Sequence, residues 1–69
     1  MSTLGQNIVK MRIDKRMKQR DLYEKAALSQ RYLSAVENDK VDPRFSIVQR
    51  IATALGVTLP ALVEGIADA

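Results

Sequence analysis

The sequence predicts an all-α protein, a compact domain of five short helices. Apolar residues recur at intervals of three and four positions along most of the chain, which is the spacing of one face of an α-helix. No segment alternates apolar and polar residues as a half-buried strand does. Residues that favour helix caps and turns separate the periodic segments. We therefore expect five helices in succession and no β-sheet.

The first three helices are separated by very short connections. Periodicity predicts the first helix over residues 4–16, although neither glycine nor proline marks its end. The second is predicted over 19–26. Ser29 is a good N-cap for a third helix that continues to about Asn38.

Residues that favour turns and helix caps separate the predicted elements more clearly in the second half of the chain. Residues 39–44 are predicted to form a loop, because they contain two aspartates and a proline. A fourth helix follows, and Gly56 is expected to end it. Thr58 caps a short fifth helix, which tolerates Pro60 in its first turn and closes at Gly65. The predicted core consists of Leu4, Ile8, Met11, Leu22, Leu33, Val36, Phe45, Val48, Ile51 and Leu55.

The length and composition limit the classes of protein to consider. A chain of 69 residues without cysteine or histidine is near the lower size limit for one core and has neither disulfides nor an ordinary zinc site to support it. An idealised helical core or a dimer must supply the stability. No apolar run approaches ~20 residues, and the N-terminus does not resemble a signal peptide. We expect residues 1–69 to form a single cytoplasmic domain that needs no metal, cofactor, small-molecule ligand or membrane.

Positive charge is concentrated in the first two thirds of the chain. The net charge is only +3, yet ten of the eleven basic residues lie at or before Arg44, and none follows Arg50. The densest cluster runs from Lys10 to Arg20. This distribution fits an N-terminal part that faces a polyanion and a neutral C-terminal part. A basic surface that is merely solvated is the alternative that charge alone leaves open.

Two charged residues share helix faces with apolar residues. Arg12 follows Ile8 by four positions and Glu37 follows Leu33 by four, so both charges point inward. Opposite charges on two helices that must pack together are predicted to form a partly buried, structural ion pair. Two independent surface charges are the alternative.

The second and third predicted helices form a recognisable unit. With the turn between them they span residues 19–38, which is the size and order of a helix-turn-helix unit. The segments LGQNIVKMR, KQRDLYEKA, LSQRYLSAVEN and DPRFSIVQRIATALGVTLPALVEG occur in order around it. From about Leu4 to Gly65 the chain resembles the lambda-repressor/Cro-like helix-turn-helix family. In that family an arginine on helix one pairs with a glutamate that ends helix three, which correspond here to Arg12 and Glu37.

Three positions depart from the family pattern. Ala27 stands where the family usually has a glycine in the turn, and Arg16 replaces the glycine that often ends helix one. Lys18 replaces the usual serine or threonine cap of helix two. Each departure is expected to cost about 1 kcal/mol in stability.

The resemblance implies that helix three, residues 30–38, lies in the major groove of double-stranded DNA. Arginine can contact guanine O6 and N7, and glutamine can contact adenine N6 and N7. For Tyr32, a phosphate or sugar contact and simple helix packing are both open. The expected base-reading residues are Gln30, Arg31, Tyr32, Ser34 and Ala35.

Phosphate contacts are expected on both sides of this helix. The free N–H groups and the dipole at the start of helix two favour an anion, and the family lays the loop after helix three along the DNA backbone. A solvated side chain is the alternative at each single position. The expected phosphate-binding residues are Lys18, Gln19, Asn38, Lys40 and Arg44.

One recognition helix makes too few base contacts for selective binding, since each good pair discriminates by only ~1–3 kcal/mol. The resemblance therefore implies a homodimer on a palindromic operator, with half-sites one helical turn apart, ~34 Å. The pairing surface is expected in the part without positive charge, unless these residues simply complete the core. The candidates are Val57, Leu59, Val63 and Ile66, with Val9 and Ile13 as a second patch.

The expected function is that of a sequence-specific transcriptional regulator, most plausibly a repressor. A protein-interaction module built on the same fold is the rival. Catalysis is disfavoured, because histidine and cysteine are absent and the three glycines are too scattered for a phosphate-binding loop. A phage repressor, a Cro-like antagonist, a restriction–modification controller and a host regulator all fit the sequence.

Overall fold

Five α-helices make up the part of the chain that the computed structural model describes, residues 2–65. This part contains no strand, so the predicted fold class is confirmed. None of its helices is long and apolar enough to cross a membrane. The helices are α1 (Leu4–Asp14), α2 (Gln19–Lys25), α3 (Gln30–Glu37), α4 (Phe45–Leu55) and α5 (Leu59–Leu62).

Every helix contributes one completely buried side chain to a single core. These side chains belong to Ile8, Leu22, Leu33, Ile51 and Leu62, one from each helix in chain order. Removing any one helix would therefore open the core, because interiors are close-packed and tolerate few voids. Of the predicted core, the side chains of seven residues are buried, namely Ile8, Leu22, Leu33, Val36, Val48, Ile51 and Leu55.

The remaining three predicted core residues behave differently. Leu4 and Met11 are only partly buried and pack against the core. The prediction for Phe45 is wrong, because its side chain is 65% exposed. Phe45 is the first residue of α4, and the Cα–Cβ bond in a helix tilts toward the N-terminus. Its ring therefore projects past the end of the helix, although it shares a face with Val48.

Four helices end with one residue in the left-handed backbone conformation. Arg16, Ala27, Asp39 and Gly56 follow α1 to α4 with φ of 56, 55, 57 and 73°. At each end the left-handed residue and the next residue donate their N–H groups to the last turn, which is a Schellman motif. Only α4 uses glycine. The predicted non-glycine turns at Arg16 and Ala27 are thus present, and α1 ends at Asp14, two residues earlier than expected.

The N-terminus of α1 lies in close contact with the C-terminus of α3. A Cβ atom added to Gly5 would stand 2.5 Å from the Glu37 carbonyl oxygen and 2.7 Å from that of Val36. The Asp39 carboxylate bridges the two helices: Oδ1 accepts from the Gly5 N–H at 3.1 Å, and Oδ2 accepts from the Thr3 hydroxyl at 2.6 Å. The positive end of one helix dipole therefore meets the negative end of another.

A buried amide holds the C-terminal helix in place. Asn7 on α1 is the buried polar residue of the described chain. Its Nδ2 donates to the Leu62 carbonyl at 2.8 Å and to the Glu64 carbonyl at 2.9 Å. Leu62 ends α5 and Glu64 lies two residues beyond it, and carbonyls at the end of a helix need partners from outside the helix.

We predict that Gly5→Ala destabilises the fold, even though alanine in a helix is favoured over glycine by about 1 kcal/mol. The new methyl group would overlap two carbonyl oxygens of α3, and such overpacking costs about 1–3 kcal/mol. Urea unfolding followed by circular dichroism measures the change.

Gly56→Ala separates backbone strain from overlap. A Cβ at Gly56 meets nothing within 4 Å, but the left-handed φ of 73° should cost alanine roughly 1–2 kcal/mol. Gly5 has no positive φ, so any loss of stability in Gly5→Ala comes from the overlap alone. A Gly5→Ala variant as stable as the wild type would show that the two helices are not in this close contact.

Candidate nucleic-acid interface

The first turn of α3 presents two long polar side chains to solvent. Gln30 and Arg31 are exposed, whereas Leu33 on the other side of the helix is fully buried. The Ser29 hydroxyl accepts the Tyr32 N–H at 3.1 Å and so caps the helix as predicted. The N-terminal half of α3 thus offers hydrogen-bonding groups to a partner from a rigid element.

The predicted base-reading residues farther along α3 are less accessible. Ser34 and Ala35 are partly buried. Tyr32 is partly buried and packs against the core, so the structure favours the packing alternative for its ring. Asn38 caps the end of the helix, where its Nδ2 donates to the Ser34 carbonyl at 2.8 Å.

Glu37, the last residue of α3, joins three elements. Arg12 donates to its carboxylate through Nε at 2.9 Å and through Nη2 at 3.3 Å. Gln19 Nε2 donates to Oε1 at 3.0 Å, and Arg12 Nη1 donates to the Met17 carbonyl at 3.1 Å. The Arg12 and Glu37 side chains are 15% and 6% exposed. This is the ion pair that the helical spacing predicts, in a bidentate geometry that can offset the cost of desolvation.

The contact between Gln19 and Glu37 places the start of α2 beside the end of α3. Lys18 immediately precedes Gln19, Asn38 immediately follows Glu37, and Lys40 lies two residues after Asn38. The structure therefore brings four of the five predicted phosphate-binding residues to one end of α3. Arg44, the fifth, is the N-cap of α4 and is exposed at the end of the same loop.

Charges of both signs are exposed at this end of α3, and two of the carboxylates, those of Asp21 and Asp39, also accept hydrogen bonds from neighbouring donors. Asp21 Oδ2 accepts the Lys18 N–H at 2.8 Å, and Asp39 is bonded to the start of α1. Lys18 and Lys40 are exposed. Both carboxylates keep their charge and are themselves exposed, so this end of α3 carries both signs of charge. The exposed lysine side chains are the groups there that can attract a polyanion.

Sequence reasoning missed the role of two residues at this junction. Gly5 is a single glycine inside a helical pattern, and nothing in the sequence shows that a distant backbone lies against it. Asp39 was assigned only to a turn, because its partners lie 34 to 36 positions earlier in the chain. Neither contact has a local signature.

The candidate dimer residues divide into two groups. Val57 and Leu59 are partly buried and pack against the core. Leu62, which lies between Leu59 and Val63 in the sequence, is fully buried in that core. Val63 is 40% exposed, and Ile66 lies outside the described residues. In the second patch Ile13 is exposed and Val9 is partly buried. Completion of the core thus accounts for Val57 and Leu59 but not for Val63.

Comparisons of sequence agree with this architecture. The sequence model of the helix-turn-helix family matches residues 8–62. The immunity repressor protein of Bacillus phage phi105 is 39% identical over 61 residues, which cover 88% of this chain and 42% of the repressor. The chain therefore spans less than half the length of that relative.

Solved structures show the same fold. The restriction-modification controller protein C.AhdI from Aeromonas hydrophila has a TM-score of 0.83 at 25% identity, over 86% of this chain and 89% of the controller. A chain from the complex of the SinR protein with the SinI protein has a TM-score of 0.84 at 26% identity, over 91% of this chain and 62% of its own.

Replacing Arg12 by methionine should lower the free energy of unfolding by about 3–5 kcal/mol, because the largely buried Glu37 carboxylate would lose the partner that offsets its desolvation. The exposed pair of Arg20 and Glu24, 3.4 Å apart, supplies the control. Arg20→Met should cost less than about 0.5 kcal/mol.

Chemical denaturation of Arg12→Met and Arg20→Met measures whether the buried ion pair stabilises the fold more than the exposed pair does. The double variant Arg12→Met/Glu37→Met should lose less than the sum of the two single variants, since it leaves no uncompensated charge. An equal decrease in the free energy of unfolding for Arg12→Met and Arg20→Met would mean that the buried pair stabilises the fold no more than an exposed pair.

Proposed function

The chain belongs to the helix-turn-helix family of DNA-binding transcription regulators, and we propose that it is a repressor that reads the major groove of a palindromic operator as a homodimer. Residues 1–69 would act as one DNA-binding domain on DNA in the cytoplasm. The observation that carries the proposal is the arrangement of α3: exposed Gln30 and Arg31 at its start, and exposed Lys18 and Lys40 around its end.

Base contacts and phosphate contacts have separate roles in this proposal. Arg31 can donate two hydrogen bonds to a guanine, and Gln30 can pair with an adenine edge. Ser34 and Ala35 lie nearer the core, so they would touch a base only after close approach of the helix. Phosphate contacts carry no sequence information but fix how the helix sits in the groove. The proposed phosphate contacts are made by Lys18, Gln19, Asn38, Lys40 and Arg44.

The dimensions of the domain are compatible with a pair of copies on one face of DNA. The described domain measures 30 × 22 × 19 Å, which is less than the ~34 Å between half-sites one turn apart. Two copies could therefore lie side by side with their α3 helices in successive major grooves. Val63 on the neutral side of the molecule is the proposed centre of the contact between them.

A protein-interaction module is the second candidate, because the described residues expose several apolar side chains. Ile13, Phe45 and Val63 are all at least 40% exposed, and such residues can serve a protein partner as well as a second copy. The polar, cation-flanked face of α3 favours DNA over this alternative.

Fluorescence anisotropy with mixed genomic DNA at two salt concentrations separates these candidates. A DNA-binding protein releases counterions from the phosphates it contacts, so its affinity falls steeply as salt rises. Measurable affinity with that salt dependence supports the proposal. Negligible affinity at both salt concentrations overturns it in favour of the interaction module.

We predict that Arg31→Ala relaxes base preference at one position in each half-site and costs ~1–3 kcal/mol of binding free energy there. Lys40→Ala and Arg44→Ala should instead weaken binding to all sequences alike and reduce the salt slope by about one unit each. Titrations of single-base variants of a selected operator provide the measurement. A uniform loss across sequences for Arg31→Ala would refute the division into base and phosphate contacts.

The second prediction concerns assembly. Sedimentation equilibrium should show a concentration-dependent dimer, and Val63→Glu should convert it to a folded monomer with weaker operator binding, because a charge in the contact would lose its water. Leu59→Glu tests the same surface less cleanly, since Leu59 is partly buried in its own domain.

Ile13→Glu is the matched control for this prediction, because it places the same charge on the second patch, where Ile13 is 61% exposed. It should leave the dimer intact. A wild-type protein that is monomeric both free and on its operator contradicts the proposed assembly.

A further inference from the structure

Arg50 of α4 is bonded to the C-terminal end of α2 and to the turn that follows it. Its Nε and Nη2 donate to the Ala26 carbonyl at 3.1 and 2.8 Å, and Nη2 also donates to the Ala27 carbonyl at 2.8 Å. The last carbonyls of a helix lack helical partners and lie at the negative end of its dipole. A planar cation with several donors suits both conditions.

The turn that Arg50 contacts is strained. Ala27 has a φ of 55°, a conformation that costs an alanine roughly 1–2 kcal/mol. Only Leu28 and Ser29 separate it from α3, so the backbone angles at Ala27 set the direction in which α3 leaves α2. A strained conformation persists only where surrounding contacts enforce it.

The backbone of Arg50 is itself fixed by the core. The next two residues, Ile51 and Ala52, are buried, and α4 contacts both α2 and α5. The Arg50 side chain therefore connects a rigid helix to a turn that has little local preference for its shape. Lys25 lies beside the same groove between α2 and α4 but makes none of these bonds.

We propose that Arg50 is a positioning residue for DNA recognition, which holds the turn at Ala27 and so sets the orientation of α3. This inference rests on the proposed role of α3 in reading bases. Base-edge contacts by Gln30 and Arg31 require accurate alignment, whereas general affinity for DNA comes from charge attraction to the phosphates, which does not depend on sequence. Loss of Arg50 should therefore reduce sequence discrimination more than it reduces general affinity for DNA.

Amide hydrogen exchange measured by NMR tests whether Arg50 holds the turn, without any DNA. Arg50→Met keeps most of the aliphatic stem and removes the donors. The Ala27 and Leu28 amides should then exchange about tenfold faster, while the amides of buried residues in α1 and α4 keep their protection. Lys25→Met, which removes a neighbouring charge, should leave the turn amides unchanged. Unchanged exchange in Arg50→Met overturns the proposal.

DNA binding at a temperature where every variant is fully folded tests the positioning role. The measured quantity is the ratio of affinities for a selected operator and for a scrambled duplex of the same length at one salt concentration. Arg50→Met should lower this ratio about tenfold. Lys25→Met should weaken both duplexes alike and leave the ratio unchanged. Arg50→Lys keeps the charge but reaches fewer carbonyls, so it should give an intermediate ratio.

The DNA-binding ratios distinguish a failure of the positioning role of Arg50 from a failure of the proposed function. An unchanged ratio for Arg50→Met, with a wild type that discriminates, overturns the positioning role alone. A wild type that prefers neither duplex overturns the proposed function and the positioning role together, and the hydrogen-exchange result still reports whether Arg50 holds the turn. Uniform loss of protection across the whole domain would mean that Arg50 serves only global stability.

Discussion

The carboxylate of Glu37 is the point on which the arrangement of the first three helices depends. It accepts from Arg12 on α1 and from Gln19 on α2 while itself ending α3. A charge that is mostly removed from water is costly unless its partners are all in place. The carboxylate therefore has all of its hydrogen-bond donors only when α1 and the start of α2 are packed against the end of α3. Other arrangements of these three helices would leave a buried charge without partners.

Contacts from outside the helix-turn-helix unit hold both ends of α3. At its C-terminal end, Arg12 binds Glu37 and the start of α1 approaches closely at Gly5. At its N-terminal end, Arg50 of α4 bonds the turn at Ala27. The outward face of α3 is left for a partner. In such a small domain, the position of α3 is set by a few polar contacts placed around one shared core.

The sequence was sufficient for features that depend on local periodicity. Helix order and type follow from apolar spacing, and the pairing of Arg12 with Glu37 follows from two inward charges of opposite sign. Periodicity identifies which face a residue occupies but not what lies over it. For that reason it placed Phe45 in the core at the open end of α4. It also left open whether Val57 and Leu59 pack against their own core, as they do in the structure.

The contacts that could not be predicted join side chains to backbone atoms of distant elements. Asp39 caps α1, Asn7 binds carbonyls at the end of α5 and just beyond it, and Arg50 binds those after α2. Aspartate in a loop or arginine on an exposed helix face is common in any sequence, and its partner is defined only after the helices have packed. The same limit applies to the operator, because the chemistry of Gln30 and Arg31 suggests which bases they can contact but does not fix their register on DNA.

Selection of bound sequences from a random pool of duplex DNA tests most directly whether α3 is a sequence-reading helix. The account predicts one enriched sequence with two-fold symmetry, in which the centres of the half-sites are one helical turn apart, ~34 Å. Guanine or adenine should dominate at the positions that face the start of α3. Recovery of DNA without any enriched sequence, under salt conditions where the protein still binds, would contradict the account.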